Sequence, residues 1–205
     1  MQEESKMKQI CLLVAILGLC LSCSDSPKSK SSLVTLQENH ELVYGIDVSR
    51  HQKEIDWKKV RIYKGNPIQF VYIKATEGTT YQDKKYSYNL EQARKNGFLV
   101  GTYHYFRTSS SPDTQVQNFI KNAPVEKQDL IPMVDIEERK EWDSQTFCKN
   151  LKIFLDKIEE HYGQKPMLYS VQNFYNDNAA HCVPEYKAFI GRYSTESPQL
   201  KQNVS

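Results

Sequence analysis

From Tyr44 to Tyr193, short apolar runs alternate with segments in which apolar residues recur at helical spacing. Tyr44–Ser49 reads as a strand, Asp56–Lys64 as a helix and Phe70–Thr76 as a second strand, making one β-α-β unit. The pattern then repeats. A helix over Tyr86–Asn96 stops at Gly97, where a left-handed C-cap carries no steric cost, and Leu99–Phe106 follows as the third strand. Pro112 opens a helix with Val116, Phe119 and Ile120 on one face, and Ile131–Glu137 reads as the fourth strand. Ser144 is placed to cap a longer helix, whose stripe of Phe147, Leu151, Phe154, Leu155, Ile158 and Tyr162 is ended by Gly163. Met167–Ser170 and Lys187–Tyr193 supply the fifth and sixth strands.

Strands alternating with helices imply a parallel sheet, and right-handed crossovers let such a sheet curl into a barrel. A closed eight-stranded barrel takes about 250 residues. The expected fold class is therefore α/β, a reduced TIM-like (β/α) barrel or an incomplete one. An open doubly wound sheet is the structural alternative, but neither G-x-G-x-x-G nor G-x-x-x-x-G-K-[ST] occurs in the chain.

The composition, 39% hydrophobic and 25% charged over 205 residues, suits one globular domain. A net charge of +2 gives no reason to expect nucleic acid as a partner, and the run Lys58, Lys59, Arg61, Lys64 reads as a solvated helix face. Residues 1–23 read as a signal peptide, with Lys6 and Lys8 ahead of an apolar stretch from Ile10 to Leu21 that is too short to span a bilayer comfortably. Its end, Leu19-Cys20-Leu21-Ser22-Cys23, resembles a bacterial lipobox with Cys23 as the lipidated residue; cleavage and secretion is the alternative. The expected location is the bacterial envelope, with membrane contact only through that anchor. Residues 24–41 read as a flexible tether and 42–205 as the catalytic domain. Cys148 and Cys182 are left for the domain, either as one disulfide or as two buried thiols. The five histidines show no close ligand pairs, so no metal and no cofactor is expected.

Chemistry concentrates at strand ends. In a parallel β/α barrel the catalytic groups sit at the C-terminal ends of the strands, where Asp47, Asp135 and Glu137 fall. Side chains alternate at period two, so residues 135 and 137 share a face, their Cα atoms about 6.6 Å apart. Carboxylates on a buried strand are costly unless used, and mutual repulsion holds one protonated near neutral pH, as a general acid requires. The plainer alternative is that Glu137 and Glu138 begin an exposed loop with Arg139 and Lys140.

Five segments stand in order: Gly45-Ile-Asp-Val-Ser-Arg-His-Gln52 with Ile55-Asp-Trp57, Phe70-Val-Tyr-Ile-Lys-Ala-Thr-Glu-Gly78, Gly101-Thr-Tyr-His-Tyr-Phe106, Pro132-Met-Val-Asp-Ile-Glu137 and Pro166-Met-Leu-Tyr-Ser170. Together they resemble the family 25 glycoside hydrolases, the Chalaropsis-type lysozymes or muramidases. The resemblance implies a flattened barrel of eight strands and five helices that hydrolyses the β-1,4 bond between N-acetylmuramic acid and N-acetylglucosamine, with peptidoglycan strands as partner. It implies Glu137 as acid/base, Asp135 as stabiliser of the developing charge or orienter of the acetamido group, and Asp47 as a supporting charge. Tyr103, Tyr105 and Tyr169 are candidate sugar platforms, with packing as the plainer role. Lys74 is placed to pair with a cleft carboxylate, and Gln52 is either a sugar contact or a hydrogen-bonding support of the first loop. His104 alternates away from Tyr103 and reads as structural, and Trp57 and Trp142 read as packing.

Members of that family continue with a Trp- and Gln-containing strand and a last strand bearing another aspartate. Here the final aspartate is Asp177 and residues 194–205 are polar without strand pattern. The barrel is thus expected to be C-terminally incomplete: a truncated product, a dimer covering the open edge, or a homologue that binds peptidoglycan without cutting it.

Overall fold

The computed structural model describes residues 43–140, 142–191 and 199–200; the expected signal, Cys23, the whole tether and Arg192 and Tyr193 of the sixth strand lie outside them. In chain order the elements are β1 (Tyr44–Val48), β2 (Ile62–Tyr63), β3 (Asn66–Glu77), β4 (Tyr81–Gln82), α1 (Tyr86–Lys95), β5 (Leu99–Tyr105), α2 (Pro112–Asn122), β6 (Met133–Asp135), α3 (Ser144–Tyr162), β7 (Met167–Val171) and β8 (Ala188–Gly191). The sheet runs β1-β3-β5-β6-β7-β8, every neighbouring pair parallel, and curls as part of a barrel. Among the described residues β1 and β8 are its two edges. The six strands read from the pattern are these six, and β2 and β4 are short antiparallel additions to β3.

Period two divides the sheet into a structural and a chemical face. Val71, Ile73, Ala75, Val100, Val134 and Leu168 point to the helices, where they pack with Phe119, Phe147, Leu151, Phe154, Leu155 and Ile158. The other face gathers Phe70, Tyr72, Leu130 and Met133 with Tyr103, Met167 and Tyr169. Because both faces are covered, Phe70–Thr76 is buried without interruption. Gly101 is required on the inner face: a Cβ there would lie 2.3 Å from the Tyr72 ring, which crosses β5 at that point. Tyr72 then donates its hydroxyl to the Ile131 carbonyl at 3.0 Å.

Three expectations are corrected. The helix over 56–64 does not form. Lys64 (φ 48) and Gly65 (φ 85) make a two-residue loop with two positive φ angles, which folds β2 back onto the start of β3 with Tyr63 opposite Asn66 and Ile62 opposite Pro67. Helix α3 is capped by Asp143 rather than Ser144, the carboxylate accepting from Thr146 N at 2.7 Å. The fourth strand is only Met133–Asp135, because Pro132 has no N–H to donate and the ladder ends before Glu137. Cys148 and Cys182, left open by the sequence, form a disulfide that ties α3 to the crossover before β8. Trp57 packs as expected, buried against Phe98 at 5.8 Å between ring centroids.

Candidate active site

The register of the parallel strands assembles the site. Tyr105, Asp135 and Tyr169 are consecutive partners across β5, β6 and β7, so they form one inward-facing row, with Tyr103 and Met133 in the row beneath. Asp47 comes from β1, and Glu137 follows two residues after Asp135. A single cleft is lined by Asp47, Tyr103, Met133, Asp135, Glu137 and Tyr169. All three predicted carboxylates and two of the three predicted tyrosines therefore meet there.

Electrostatics distinguish the three acids. Asp135 is 8% exposed, and its Oδ1 has no hydrogen-bond partner among the described residues. Burial first, then the Glu137 charge, opposed by Lys74, push its pKa up to about 8. Burial also raises Glu137, with Lys74 pulling down and Asp47 pushing up. Asp47 is open to solvent on one side yet crowded by protein on the other; that partial desolvation, opposed by a backbone hydrogen bond, raises it as well. Repulsion was the expected cause of proton retention; burial is the larger one. Asp135 and Glu137 therefore titrate as a coupled pair, with burial favouring the proton on Asp135. Burial and then the Asp135 and Asp47 carboxylates raise the Tyr103 phenol, which therefore stays a neutral donor.

The remaining predicted residues lie behind the cleft or at its edge. Lys74 pairs with Glu77 at 2.6 Å, not with a cleft carboxylate, and its ammonium lies over the Tyr105 ring at 4.9 Å. Tyr105 also carries the Arg107 guanidinium at 4.4 Å, so its ring is occupied by cations. Gln52 reciprocates with Ser49 in a capping box, its Oε1 accepting from Ser49 N at 2.8 Å, which makes it a support of the first loop. His104 is fully buried between Thr76 Oγ1 (2.7 Å) and Gln115 Oε1 (3.2 Å). A carbonyl oxygen only accepts, so Nε2 carries the proton and Nδ1 accepts from Thr76. Desolvation lowers the pKa of this ring to about 4, and it is structural.

Three residues were missed by sequence reasoning: Glu77, Arg107 and Glu138. Burial raises the Glu77 carboxyl, but hydrogen bonds from Lys74 and Arg107 outweigh this and hold it below the usual carboxylate range. Arg107 Nη1 donates to Glu138 Oε2 at 2.8 Å, and its Nε donates to Glu77 Oε1 at 2.8 Å. The available signal was Glu77 ending β3, Arg107 just past the end of β5 and Glu138 beside the candidate acid. Among the described residues, Cys148, His181 and Cys182 are the group compact enough to ligate a metal, and the two sulfurs there are joined to each other.

Residues 46–205 match the model of the family described as Glycosyl hydrolases family 25. An Escherichia coli K12 protein, the uncharacterized YegX, is 37% identical over 158 residues, covering 76% of this chain and 58% of YegX. The autolytic lysozyme of Clostridium acetobutylicum is 29% identical over 156 residues, covering 76% and 47% respectively. The chain thus spans about half the length of these curated relatives. The structure of a family 25 glycosyl hydrolase from Bacillus anthracis superposes with a TM-score of 0.71 at 30% identity, covering 84% of this chain and 82% of that one. With the family model covering the sheet from within its first strand onward, the chain belongs to glycoside hydrolase family 25.

Proposed function

We propose that the protein is a muramidase that hydrolyses the β-1,4 bond between N-acetylmuramic acid and N-acetylglucosamine in peptidoglycan. The observation that carries this reading is the delivery of Asp135, at the end of β6, and Glu137, two residues beyond it, into a cleft faced by Asp47. Glu137 protonates the leaving glycosidic oxygen and then takes a proton from the attacking water. Asp135 stabilises the positive charge developing at the sugar or orients the substrate's acetamido group; the proton it shares with Glu137 passes to Glu137, which delivers it to the leaving oxygen and leaves Asp135 as the anion facing that charge. Asp47 adds negative field, and the Tyr103 and Tyr169 rings offer faces and hydroxyls to the pyranoses. An exported location is part of the proposal and is supported by the Cys148–Cys182 disulfide, since such bonds persist in oxidising compartments.

The test is release of reducing ends from purified peptidoglycan. Wild-type protein is expected to release them, and Glu137→Gln is expected to abolish release while still pelleting with sacculi. Equal activity in the variant would refute the assignment. Pelleting by a wild-type protein that releases nothing would point instead to a wall-binding module.

A further inference from the structure

Glu137 sits where regular strand pairing has ended, and its two neighbours are anchored in different ways. Ile136 is fully buried; its N–H donates to the Tyr169 carbonyl at 2.9 Å, and its own carbonyl accepts from Ser170 Oγ at 2.7 Å. Glu138 is anchored through its side chain, whose Oε2 accepts from Arg107 Nη1 at 2.8 Å and lies 3.2 Å from Lys140 Nζ. Arg107 is itself a fixed post. Its Nε donates to Glu77 at 2.8 Å, while Lys74 holds the other oxygen of that carboxylate at 2.6 Å. Its backbone N–H donates to Gln115 Oε1 at 2.8 Å, and its carbonyl accepts from Gln115 Nε2 at 2.9 Å, with Gln115 fully buried. The guanidinium plane lies over Tyr105, which leaves it little freedom to swing.

We infer that Arg107 is a positioning residue for Glu137, acting through Glu138: by holding that neighbour it sets where the loop after β6 places the catalytic carboxyl. The inference rests on the reading of Glu137 as the acid/base. A one-ångström misplacement of such a group costs about 100-fold in rate, so a clamp on the adjacent residue has a kinetic signature.

Wild-type protein is compared with Arg107→Gln, Glu138→Gln and the double variant, by reducing-end release from peptidoglycan across pH and by carbon-13 titration of the Glu137 carboxyl. Both single variants are expected to lose about 10- to 100-fold in kcat, with KM changed by less than about threefold. The double variant is expected to be no worse than the poorer single, because both substitutions open one clamp. Action through charge alone gives a different pattern. The Arg107 cation lowers the Glu137 pKa and the Glu138 anion raises it, so the two removals would move the titration and the basic limb in opposite directions. Opposite shifts with kcat retained at each optimum would overturn the proposal, and so would losses that multiply in the double variant.

Amide hydrogen exchange over residues 137–140 supplies a readout that does not need turnover. It is expected to quicken by about tenfold or more in each variant while α3 stays protected. Unchanged exchange would sink the clamp whatever the activity. Faster exchange in a protein whose wild type releases no reducing ends would leave the clamp standing and remove only the muramidase reading. If Arg107→Gln does not fold, Glu138→Gln is isosteric and carries the same measurements, with exchange of the 137–140 amides deciding.

Discussion

Replacing Asp135 with asparagine removes a carboxyl that is 8% exposed and has an unpartnered oxygen, and the substitution should stabilise the protein in neutral solution. Burial raises the folded-state pKa from the ordinary 3.8 to about 8. A raised folded pKa contributes stability that is fully present below the unfolded pKa and is lost as pH rises through the folded one. Across that window each pH unit costs about 1.4 kcal/mol. Between pH 5 and 7 the wild type should thus lose about 2.7 kcal/mol at this site, while the amide, which does not titrate, loses none. Urea unfolding of both proteins at several pH values reads the difference directly. With a slope of about 1–3 kcal/mol per molar, the gap between midpoints should widen by roughly 1–3 M over those two units. The same variant should lose about 100-fold or more in turnover, trading activity for stability. A gap that stays constant with pH, or narrows as pH rises, would refute the assignment of a buried, protonated Asp135.

Two further expectations concern stability. His104 has the opposite sign: its folded pKa of about 4 lies below the usual 6.5, so stability is lost as pH falls through that window, by about 3 kcal/mol in all. His104→Gln should flatten the acid slope of urea midpoints between pH 6.5 and 4, and an unaltered slope would contradict the neutral buried ring. The Cys148–Cys182 disulfide spans a sequence separation of 34, for which loop entropy gives about 3–4 kcal/mol. Reduction, or Cys148→Ser with Cys182→Ser, should lower the midpoint accordingly, and no change in midpoint would mean that the reduced chain is already constrained.

The meeting of the three acids was legible because catalytic groups of a parallel sheet gather at its C-terminal ends and period two is a backbone property: Asp47 lies near the end of β1, Asp135 ends β6, and Glu137, two residues on, still opens into the same cleft. The six parallel strands were legible for the same reason, as was the structural role of His104, one residue out of phase with Tyr103. Other features depend on distance in space. Arg107 meets Glu77 from 30 positions away and Glu138 from 31, and nothing local marks them as partners. The helix read over 56–64 failed for a nearer reason. Lys64-Gly65 supplies the two positive φ angles of a tight hairpin, and that turn chemistry overrode a weak helical period. Asp143 and Ser144 are both good caps, and only the bond to Thr146 decides between them.

The brevity of β6 has an evolutionary side. Three residues, Met133 to Asp135, are held between two longer neighbours, and their alternation sends Val134 to the helices and Asp135 to the cleft. A slip by one residue would put Val134 on the catalytic side and drive the Asp135 carboxyl into the apolar layer under the helices, so register is held by desolvation more than by the few ladder bonds of so short a strand. Insertions or deletions between α2 and β6 should therefore be absorbed in the connecting loop or lost, because a variant that threads this strand out of register forfeits folding and turnover together.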